Sequence, residues 1–565
     1  MKLCARKIIH LCAALLIAIL MAGCNDDHSQ TFPYQGVALQ ETQYGFVEGF
    51  ESQENNTIGW LGLPYAQPPI GELRWKAPQS PEAWHGTLQA KAFKDGSIQG
   101  DNSENATGSE DSLYLNIWRP NTADKDLPVL LFVHGGGNRS GSPKEFIGDK
   151  LAEATNSIVI SIDYRLGAIG WFRHPALKSG DLASDSGNFG LLDIIQSLKW
   201  VNQNISSFGG DPGNVTLAGQ SAGARDTLAL MISPLASGLF HKILALSGGM
   251  TTSETSAGDA IAQQAVIQLV INNGEADNQA DAMIWITQHE DFAAYLRAQE
   301  ADKFLALYGP APIKMAPFPH LFKDGYVLPA EGFEVLKTGH YNKVPVMLGS
   351  AQQEFAIFAL TDPEFAPLLR GSQDPDLLDS YGTAMHYGSN IYAAFNVENV
   401  ADQLVGNPDQ PPVFGYRFAW GTRSGVVKSP ADTLGLSATH GADMDFITGQ
   451  WSSGMNQWFN SAFYFDENQP GRDALSAAMM AYIGNFLHTD SPNGEDLTEW
   501  QAYSVQHQIM RLDADLGTSI IAMSDAVYDK NQVDAEMQTD LASDEYHYYI
   551  DKIISGRFFW DLWME

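Results

Sequence analysis

The chain has few cysteines and few basic residues, and each shortage excludes a class of protein. Its three cysteines, Cys4, Cys12 and Cys24, all lie within the first 24 residues, so disulfides cannot hold the rest of the fold. Lysine and arginine total 33 against 67 acidic residues, giving a formal net charge of −34 at pH 7. This charge repels phosphate groups, so we expect no nucleic-acid partner and no attraction to anionic lipid headgroups.

One pentapeptide, Gly219-Gln220-Ser221-Ala222-Gly223, lies where a nucleophilic serine would need it. A β-prone run, 214–218, precedes it and a helix-prone run, 224–231, follows it, which predicts a strand-to-helix turn. Small residues on both sides of Ser221 allow the sharp turn of a nucleophile elbow. A tight packing turn would show the same pattern, so the pentapeptide alone leaves both interpretations open.

A second motif supports the nucleophile. The apolar run Val129 to Val133 predicts a buried strand, and it ends in His134-Gly135-Gly136-Gly137. Three consecutive glycines leave backbone N–H groups uncovered and able to converge on an oxyanion, and each such donor is worth about 100- to 1,000-fold in rate. A flexible turn or a phosphate cradle is the alternative, but no Lys-Ser or Lys-Thr follows the glycines.

A serine nucleophile needs a base and an acid that orients the base, and in α/β-hydrolases these follow the serine in the chain. Glu354 follows a predicted buried strand, 344–348, and His440 follows a predicted strand, 413–420. Composition cannot single out Glu354 among 67 acidic residues. It also cannot prefer His440 to the other candidate histidines, which are His174, His241, His320, His340 and His488.

Longer segments resemble the signatures of the type-B carboxylesterase family, the carboxylesterase and cholinesterase branch of the α/β-hydrolase superfamily. Residues 62–75 (GLPYAQPPIGELRW) are similar to its N-terminal signature, and residues 110–118 (EDSLYLNIW) to its second. Shorter matches lie at 164–167, 187–193, 208–212, 324–325, 491–493, 500–503 and 557–560. The resemblance therefore extends over roughly residues 46–563.

The resemblance implies a catalytic site without a metal or an organic cofactor. By position, it makes Ser221 the nucleophile, Glu354 the triad acid and His440 the general base. The oxyanion N–H groups would come from Gly136, Gly137 and Ala222. The expected activity is hydrolysis of a small-molecule ester through an acyl-enzyme.

The family pattern also implies contacts that support the scaffold rather than touch the substrate. Two ion pairs are expected, Arg74 with Glu110 and Arg165 with Asp193. Asp443 and Ser247 are expected to buttress the histidine loop.

Departures from the family pattern change the expected substrate. Gln220 stands where the family usually has glutamate, so cationic substrates lose a potential partner. The segment 97–112 contains no aromatic residue, which excludes a cation–π cage for a quaternary ammonium at that position. Asn138 follows the glycines where an aromatic often lines the gorge, so we expect a more polar pocket. Cholinesterase activity is therefore not expected.

Two other functions are compatible with the fold. A catalytically silent surface-binding or adhesion protein is one alternative, since neuroligins belong to the same family but lack the nucleophile. The other alternative is an amidase, a lactonase or an esterase for bulky feruloyl-type or toxin esters, which would use the same catalytic residues on a different substrate. The sequence leaves the natural substrate and the oligomeric state open.

The predicted fold class is α/β, an α/β-hydrolase fold with a large, mostly parallel central sheet flanked by helices. Beside the strands named above, we predict strands at 158–162, 215–217 and 243–246. One domain is expected over 46–565, with a helix-rich insert at 257–307 that caps the site.

The N-terminus has the pattern of a secretory signal, with basic residues followed by a mostly apolar core, 8–22, that is too short to cross a bilayer. Small residues before Cys24 resemble a bacterial lipoprotein processing site. We expect a signal peptide at 1–23, lipidation at Cys24 and a tether over 24–45. The protein would then be anchored in the cell envelope only through its lipids, with Asn25 favouring the outer membrane; a periplasmic or secreted protein is the alternative.

Overall fold

The structure is a computed structural model that describes Tyr34 and residues 36–100, 104–308, 318–451 and 460–561. The predicted signal peptide, Cys24 and the first part of the predicted tether lie outside these residues. Within the described ranges, no helix combines the length and the apolar character that a membrane crossing needs.

The strands are β1 (Leu39–Thr42), β2 (Gly45–Glu48), β3 (Phe50–Ser52), β4 (Thr57–Pro64), β5 (Thr87–Gln89), β6 (Tyr114–Pro120), β7 (Leu127–Val133), β8 (Ile158–Ile162), β9 (Gly210–Gln220), β10 (Lys242–Leu246), β11 (Val346–Ala351), β12 (Val413–Phe418), β13 (Ile509–Ala514) and β14 (Ser519–Ser524).

The α-helices are α1 (Asp149–Thr155), α2 (Gly167–Gly170), α3 (Leu182–Asp185), α4 (Phe189–Asn204), α5 (Ala222–Ile232), α6 (Thr255–Asn272), α7 (Gln279–Gln288), α8 (Phe292–Arg297), α9 (Asp302–Leu307), α10 (Ala356–Leu360), α11 (Ala366–Leu369), α12 (Pro375–Asn396), α13 (Glu398–Val405), α14 (Met444–Thr448), α15 (Asn460–Phe463), α16 (Gln469–Thr489), α17 (Lys530–Asp540), α18 (Ser543–Tyr548) and α19 (Phe558–Asp561).

The described residues form one eleven-stranded sheet in the order β14-β13-β12-β11-β10-β9-β7-β8-β6-β4-β3 and a three-stranded sheet, β1-β2-β5. Neighbours from β8 across to β13 pair in parallel, whereas β3, β4, β6 and β14 pair antiparallel at the two edges. The carboxyl ends of the parallel strands therefore meet at one edge of the sheet, the usual place for a site in such folds.

Both faces of the large sheet are covered, which explains why its central strands are mostly apolar. Alternate residues of β7 enter different cores: Val129 and Leu131 belong to one apolar cluster, and Leu130 and Phe132 to the other. Successive side chains of a strand point to opposite faces, so a strand buried on both sides needs an unbroken apolar run.

The predicted strands are present; 158–162 has the predicted bounds, the strands at 129–133, 243–246 and 413–420 differ by one or two residues at one end, and the other two differ more. β9 extends well beyond the predicted 215–217 in both directions, and β11 begins at Val346 rather than at Val344. Pro345, which has no N–H to donate to a ladder, lies just before β11, and its carbonyl accepts a bond from Ile243 N at 3.0 Å. The predicted helix-rich insert is also present, as α6 to α9.

Candidate active site

Ser221 lies on a strained turn between β9 and α5, at the carboxyl edge of the sheet. Its backbone has φ 56° and ψ −120°, a conformation that is costly for a residue with a side chain and that typifies functional turns. Its N–H donates to Leu246 O at 2.8 Å, which anchors the turn to the neighbouring strand. A Cβ on Gly219 would lie 2.4 Å from the carbonyl oxygen of Gly223, so the turn needs glycine there.

The glycine-rich loop after β7 packs directly against this turn. A Cβ on Gly135 would approach Ser221 Cβ to 2.9 Å, so a larger residue would push the loop away. Gly136 and Gly137 have φ of 97° and 68°, and within the described chain their N–H groups bond to no protein acceptor. Ala222 is the first residue of α5, where N–H groups have no partner within the helix. The predicted oxyanion donors therefore come from two segments in contact.

The structure brings the predicted acid and base together. Glu354 follows β11 and His440 follows β12, and the Nδ1–H of His440 donates to Glu354 Oε2 at 2.7 Å. The other carboxylate oxygen, Oε1, accepts bonds from Ser350 Oγ at 2.8 Å, Ala351 N at 2.9 Å and Asn396 Nδ2 at 3.3 Å, and another from Ser247 Oγ. The carboxylate is thereby fixed in position and orientation.

Electrostatics favour an ionised Glu354. Complete burial by itself would raise the pKa of this carboxyl, but His440 and the bonds from Ser247 and Ala351 hold its pKa below the usual value. The carboxylate therefore remains charged at neutral pH. An anion at Nδ1 keeps the proton there and leaves a lone pair on the other ring nitrogen, Nε2.

The Nε2 of His440 lies 3.2 Å from the amide nitrogen of Gln220, the residue before the predicted nucleophile. Among the described residues, no hydrogen bond joins Ser221 Oγ to His440. Since Nδ1 carries the proton, the Gln220 amide donates to the lone pair of Nε2. The sequence noted Gln220 only as a missing charge, whereas the structure places its amide on the predicted base.

Aromatic rings enclose the imidazole of His440. The ring of Tyr392 stacks on it with centroids 5.6 Å apart and planes inclined by 15°, and the ring of Phe358 is tilted beside it at 4.9 Å. Both rings come from the segment after Glu354, Phe358 on α10 and Tyr392 on α12. The sequence carried no signal for this contact, because it depends on how α10 and α12 pack.

The predicted ion pairs are confirmed. Arg74 donates two bonds of 2.6 Å to the carboxylate of Glu110, and Arg165 donates to both oxygens of Asp193 at 2.8 and 2.7 Å. Arg74 also donates to the carbonyls of Arg297 and Gln299, which ties the helical insert to the loop before β5.

Two side chains, Ser247 and Asn138, differ from the expectation. Ser247 bonds to Glu354 rather than to the histidine loop. Asp443 accepts a bond from Tyr416 OH of β12 at 2.6 Å, which holds the segment after His440 against the sheet, as expected. Burial raises the pKa of Asp443 to about 6. Asn138 is fully buried and bonded to Asp226 and Tyr164, so the prediction that it makes the pocket polar is wrong.

A serine on a strained strand-to-helix turn, at the carboxyl edge of a helix-covered, mostly parallel sheet and beside a glycine-rich loop, defines the α/β-hydrolase class. Comparison with known proteins agrees with this. The sequence model of the Carboxylesterase family matches residues 37–374. A para-nitrobenzyl esterase of Bacillus subtilis (strain 168) is 30% identical over 520 residues, which cover 87% of this chain and 97% of that protein.

Two further relatives extend the comparison. A fumonisin B1 esterase of Sphingopyxis macrogoltabida is 34% identical over 327 residues, 57% of each chain. A solved carboxylesterase of Geobacillus stearothermophilus superposes with a TM-score of 0.66 at 26% identity, covering 86% of this chain and 98% of that one. The chain belongs to the carboxylesterase family, as an enzyme of its type-B branch.

Proposed function

We propose that this enzyme hydrolyses carboxylic esters of small molecules, with Ser221 as nucleophile, His440 as general base and Glu354 as the acid that orients the base. The observation that carries the proposal is the 2.7 Å bond between His440 Nδ1 and Glu354, at the sheet edge where the Ser221 turn also lies. This bond leaves Nε2 as the atom that accepts a proton.

In the first half of the reaction, His440 Nε2 takes the Ser221 proton and the serine oxygen attacks the ester carbonyl carbon. The N–H groups of Gly136, Gly137 and Ala222 stabilise the resulting oxyanion. The tetrahedral intermediate collapses, the carbon–oxygen bond to the alcohol breaks, and the imidazolium returns its proton to the departing alcohol. The product that remains is an acyl-enzyme on Ser221.

In the second half, water takes the place of the alcohol. His440 removes a proton from that water as its oxygen attacks the acyl carbon, and the same proton then goes back to Ser221 as the acid leaves. Glu354 stabilises the imidazolium in both halves. In each half the Gln220 amide must leave Nε2 free before the hydroxyl or the water can donate to it.

The relatives' names point to different esters, p-nitrobenzyl, fumonisin B1 and cocaine among them, so the proposal is limited to the ester class. The test is a panel of p-nitrophenyl esters from acetate to dodecanoate, with p-nitrobenzyl esters, p-nitroanilides and lactones. Preference for an anilide or a lactone would move the assignment to an amidase or a lactonase.

The panel is run with the parent protein, with Ser221→Ala and with a fluorophosphonate-labelled sample. Ester turnover that is lost in the alanine variant, with label mass on Ser221, is the expected result. Unchanged hydrolysis by a folded Ser221→Ala protein would contradict the assignment of Ser221 as nucleophile. A folded parent that neither turns over nor takes the label would instead favour a non-catalytic adhesion protein.

We also propose export, with residues 1–23 removed and Cys24 lipidated, so that the enzyme is held in the bacterial cell envelope. The sequence pattern supports this: a basic start, a short apolar core and small residues before the cysteine. Metabolic labelling with an alkyne fatty acid should mark the parent but not Cys24→Ser, and fractionation should place the parent with the outer membrane. A labelled Cys24→Ser protein would overturn the lipidation site.

A further inference from the structure

The predicted oxyanion donors come from two segments that must hold a fixed relative position. Gly136 and Gly137 lie on the loop after β7, whereas Ala222 begins α5. A direct side-chain bond crosses between these segments one residue beyond the glycines: Asn138 Nδ2 donates to Asp226 Oδ1 at 2.8 Å. Asp226 lies on α5, about one turn after Ala222.

Both partners of this bond are held rigidly. Asn138 and Asp226 are each 0% exposed. The hydroxyl of Tyr164 donates to Asn138 Oδ1 at 2.8 Å and lies 3.0 Å from the carbonyl of His134, and the Asn138 carbonyl accepts from Gly167 N at 2.7 Å. Asn138 is therefore fixed by both polar groups of its side chain and by its backbone carbonyl, so its position is set by these bonds.

The backbone of α5 also contacts the end of β7. A Cβ on Gly223 would lie 2.1 Å from the carbonyl oxygen of Val133, so helix and strand end touch without an intervening side chain. This contact limits how close the two segments come. The Asn138–Asp226 bond is a second link between the same two segments, and a hydrogen bond also constrains their direction.

We propose that Asn138 and Asp226 are positioning residues, whose bond aligns the N–H groups of Gly136 and Gly137 with that of Ala222. The proposal rests on the proposed function, since it concerns the oxyanion of that reaction. Neither residue touches the substrate. Without the bond, the three donors would point to different places, and stabilisation of the oxyanion would be lost while substrate binding persisted.

The chemistry of Asp226 permits a sharp test. Burial raises the pKa of this carboxyl to about 7, with Arg225, His134 and Tyr164 as the charged or titratable groups nearby. Its Oδ2 has no hydrogen-bond partner among the described residues, so a proton can reside there while Oδ1 still accepts from Asn138. Asparagine keeps an acceptor at Oδ1 and is therefore a close mimic of the neutral acid.

The experiment compares Asp226→Ala, Asn138→Ala, the double variant and Asp226→Asn in the full-length enzyme. A control, Thr227→Ala, removes a buried hydroxyl from the same helix; among the described residues this hydroxyl bonds within the helix, to Ala224 O at 2.8 Å. Circular dichroism and thermal melts check folding. For each variant, kcat and KM on a p-nitrophenyl ester and the inhibition constant of a trifluoromethyl ketone, which forms an oxyanion adduct, are measured.

We expect each alanine variant to lose about 10- to 100-fold in kcat with KM changed less than about threefold, and to bind the ketone more weakly by a similar factor. The double variant should lose no more than the worse single variant, because both remove one bond. Asp226→Asn should keep kcat within about threefold of the parent, and so should Thr227→Ala.

Equal losses in the alanine variants and in Thr227→Ala would overturn the proposal, because they would indicate a general effect on the helix. A loss confined to KM, or losses that multiply in the double variant, would also overturn it. If an alanine variant fails to fold, kcat is compared between Asp226→Asn, which keeps the acceptor, and Asn138→Ser, which removes the amide donor. A loss of kcat in Asn138→Ser alone supports the proposal, and equal kcat values in the two variants overturn it. Failure of the proposed function itself is separate, since the parent would then show neither turnover nor label on Ser221.

Discussion

The contact between Gln220 and His440 leads to a prediction about pH dependence. Gln220→Glu replaces the amide with a carboxylate of the same shape, placed against a ring nitrogen that lies 3.2 Å from the present amide nitrogen. A negative charge there stabilises the protonated, cationic imidazole. The base form, which takes the serine proton, then appears only at higher pH.

The magnitude follows from Coulomb's law. Two unit charges about 4 Å apart interact with about 4 kcal/mol at an effective dielectric constant of about 20, and with about 1 kcal/mol in bulk water. Gln220 is partly exposed, so screening places the value near the lower end, at about 1 to 2 kcal/mol. Since about 1.4 kcal/mol corresponds to one pKa unit, the acidic limb of kcat/KM should move up by about one unit.

The assay is the pH profile of kcat/KM for a short p-nitrophenyl ester, followed at the isosbestic wavelength of nitrophenol. On the acidic limb the variant should be about tenfold slower than the parent, and on the alkaline plateau the two should agree within a few-fold. Raising the ionic strength should reduce the difference. Gln220→Leu, which removes the amide without adding charge, and Gln203→Glu, which adds a charge on the exposed side of α4, are the controls.

An unchanged acidic limb in Gln220→Glu would refute the reasoning, because a carboxylate in contact with the base must shift it. The same shift in Gln203→Glu would refute it equally, since the effect would then come from net charge rather than from the contact. A faster Gln220→Leu enzyme would agree with the contact, because the amide no longer competes for the lone pair of Nε2.

Three further predictions concern the site and its support. Glu354→Gln should lower kcat by about 1,000- to 10,000-fold with the fold retained, because an amide no longer holds the Nδ1 proton of the imidazole; an intact burst of nitrophenol would contradict this. Gly136→Ala should lose at least about 100-fold in kcat, because its Cβ would lie 2.0 Å from Ser140 O and its φ of 97° disfavours a side chain. Unchanged turnover would exclude the loop from the oxyanion site. Asp226→Asn should raise the melting temperature at pH 8 but not at pH 4. The native carboxyl, with its pKa raised to about 7, keeps a proton that the unfolded chain releases above about pH 4, so the stability of the parent falls between these pH values by up to about 4 kcal/mol. An equal shift of the melting temperature at both pH values would contradict the raised pKa.

Local features of the site were predictable from the sequence. The glycines around Ser221 and the run Gly135 to Gly137 are needed because the backbone turns sharply or approaches another segment closely, and such demands restrict residue type position by position. The buried strands were predictable for a similar reason, since a parallel sheet covered on both faces requires unbroken apolar runs. The start of β11 was placed too early because a proline lies within the apolar run.

Pairs of residues that are distant in the sequence but bonded in the structure could be predicted only where the family pattern supplied them. That pattern paired Arg74 with Glu110 and proposed Glu354 and His440, which lie 86 residues apart and meet only at the sheet edge. It supplied no partner for Asn138, which bonds to Asp226, 88 residues away.

By itself, the sequence determined the elements, the elbow and the glycine-rich loop, because propensity, apolar periodicity and backbone strain are properties of neighbouring residues. Only the tertiary structure decided that the Gln220 amide contacts the His440 imidazole, 220 residues away, and that Asn138 ties the loop to α5 through Asp226. Those contacts depend on how β7, β9 and β12 align in the sheet and on which side chains remain buried between them. Hydrogen bonds of 2.8 to 3.2 Å are set by such packing, which no local pattern encodes.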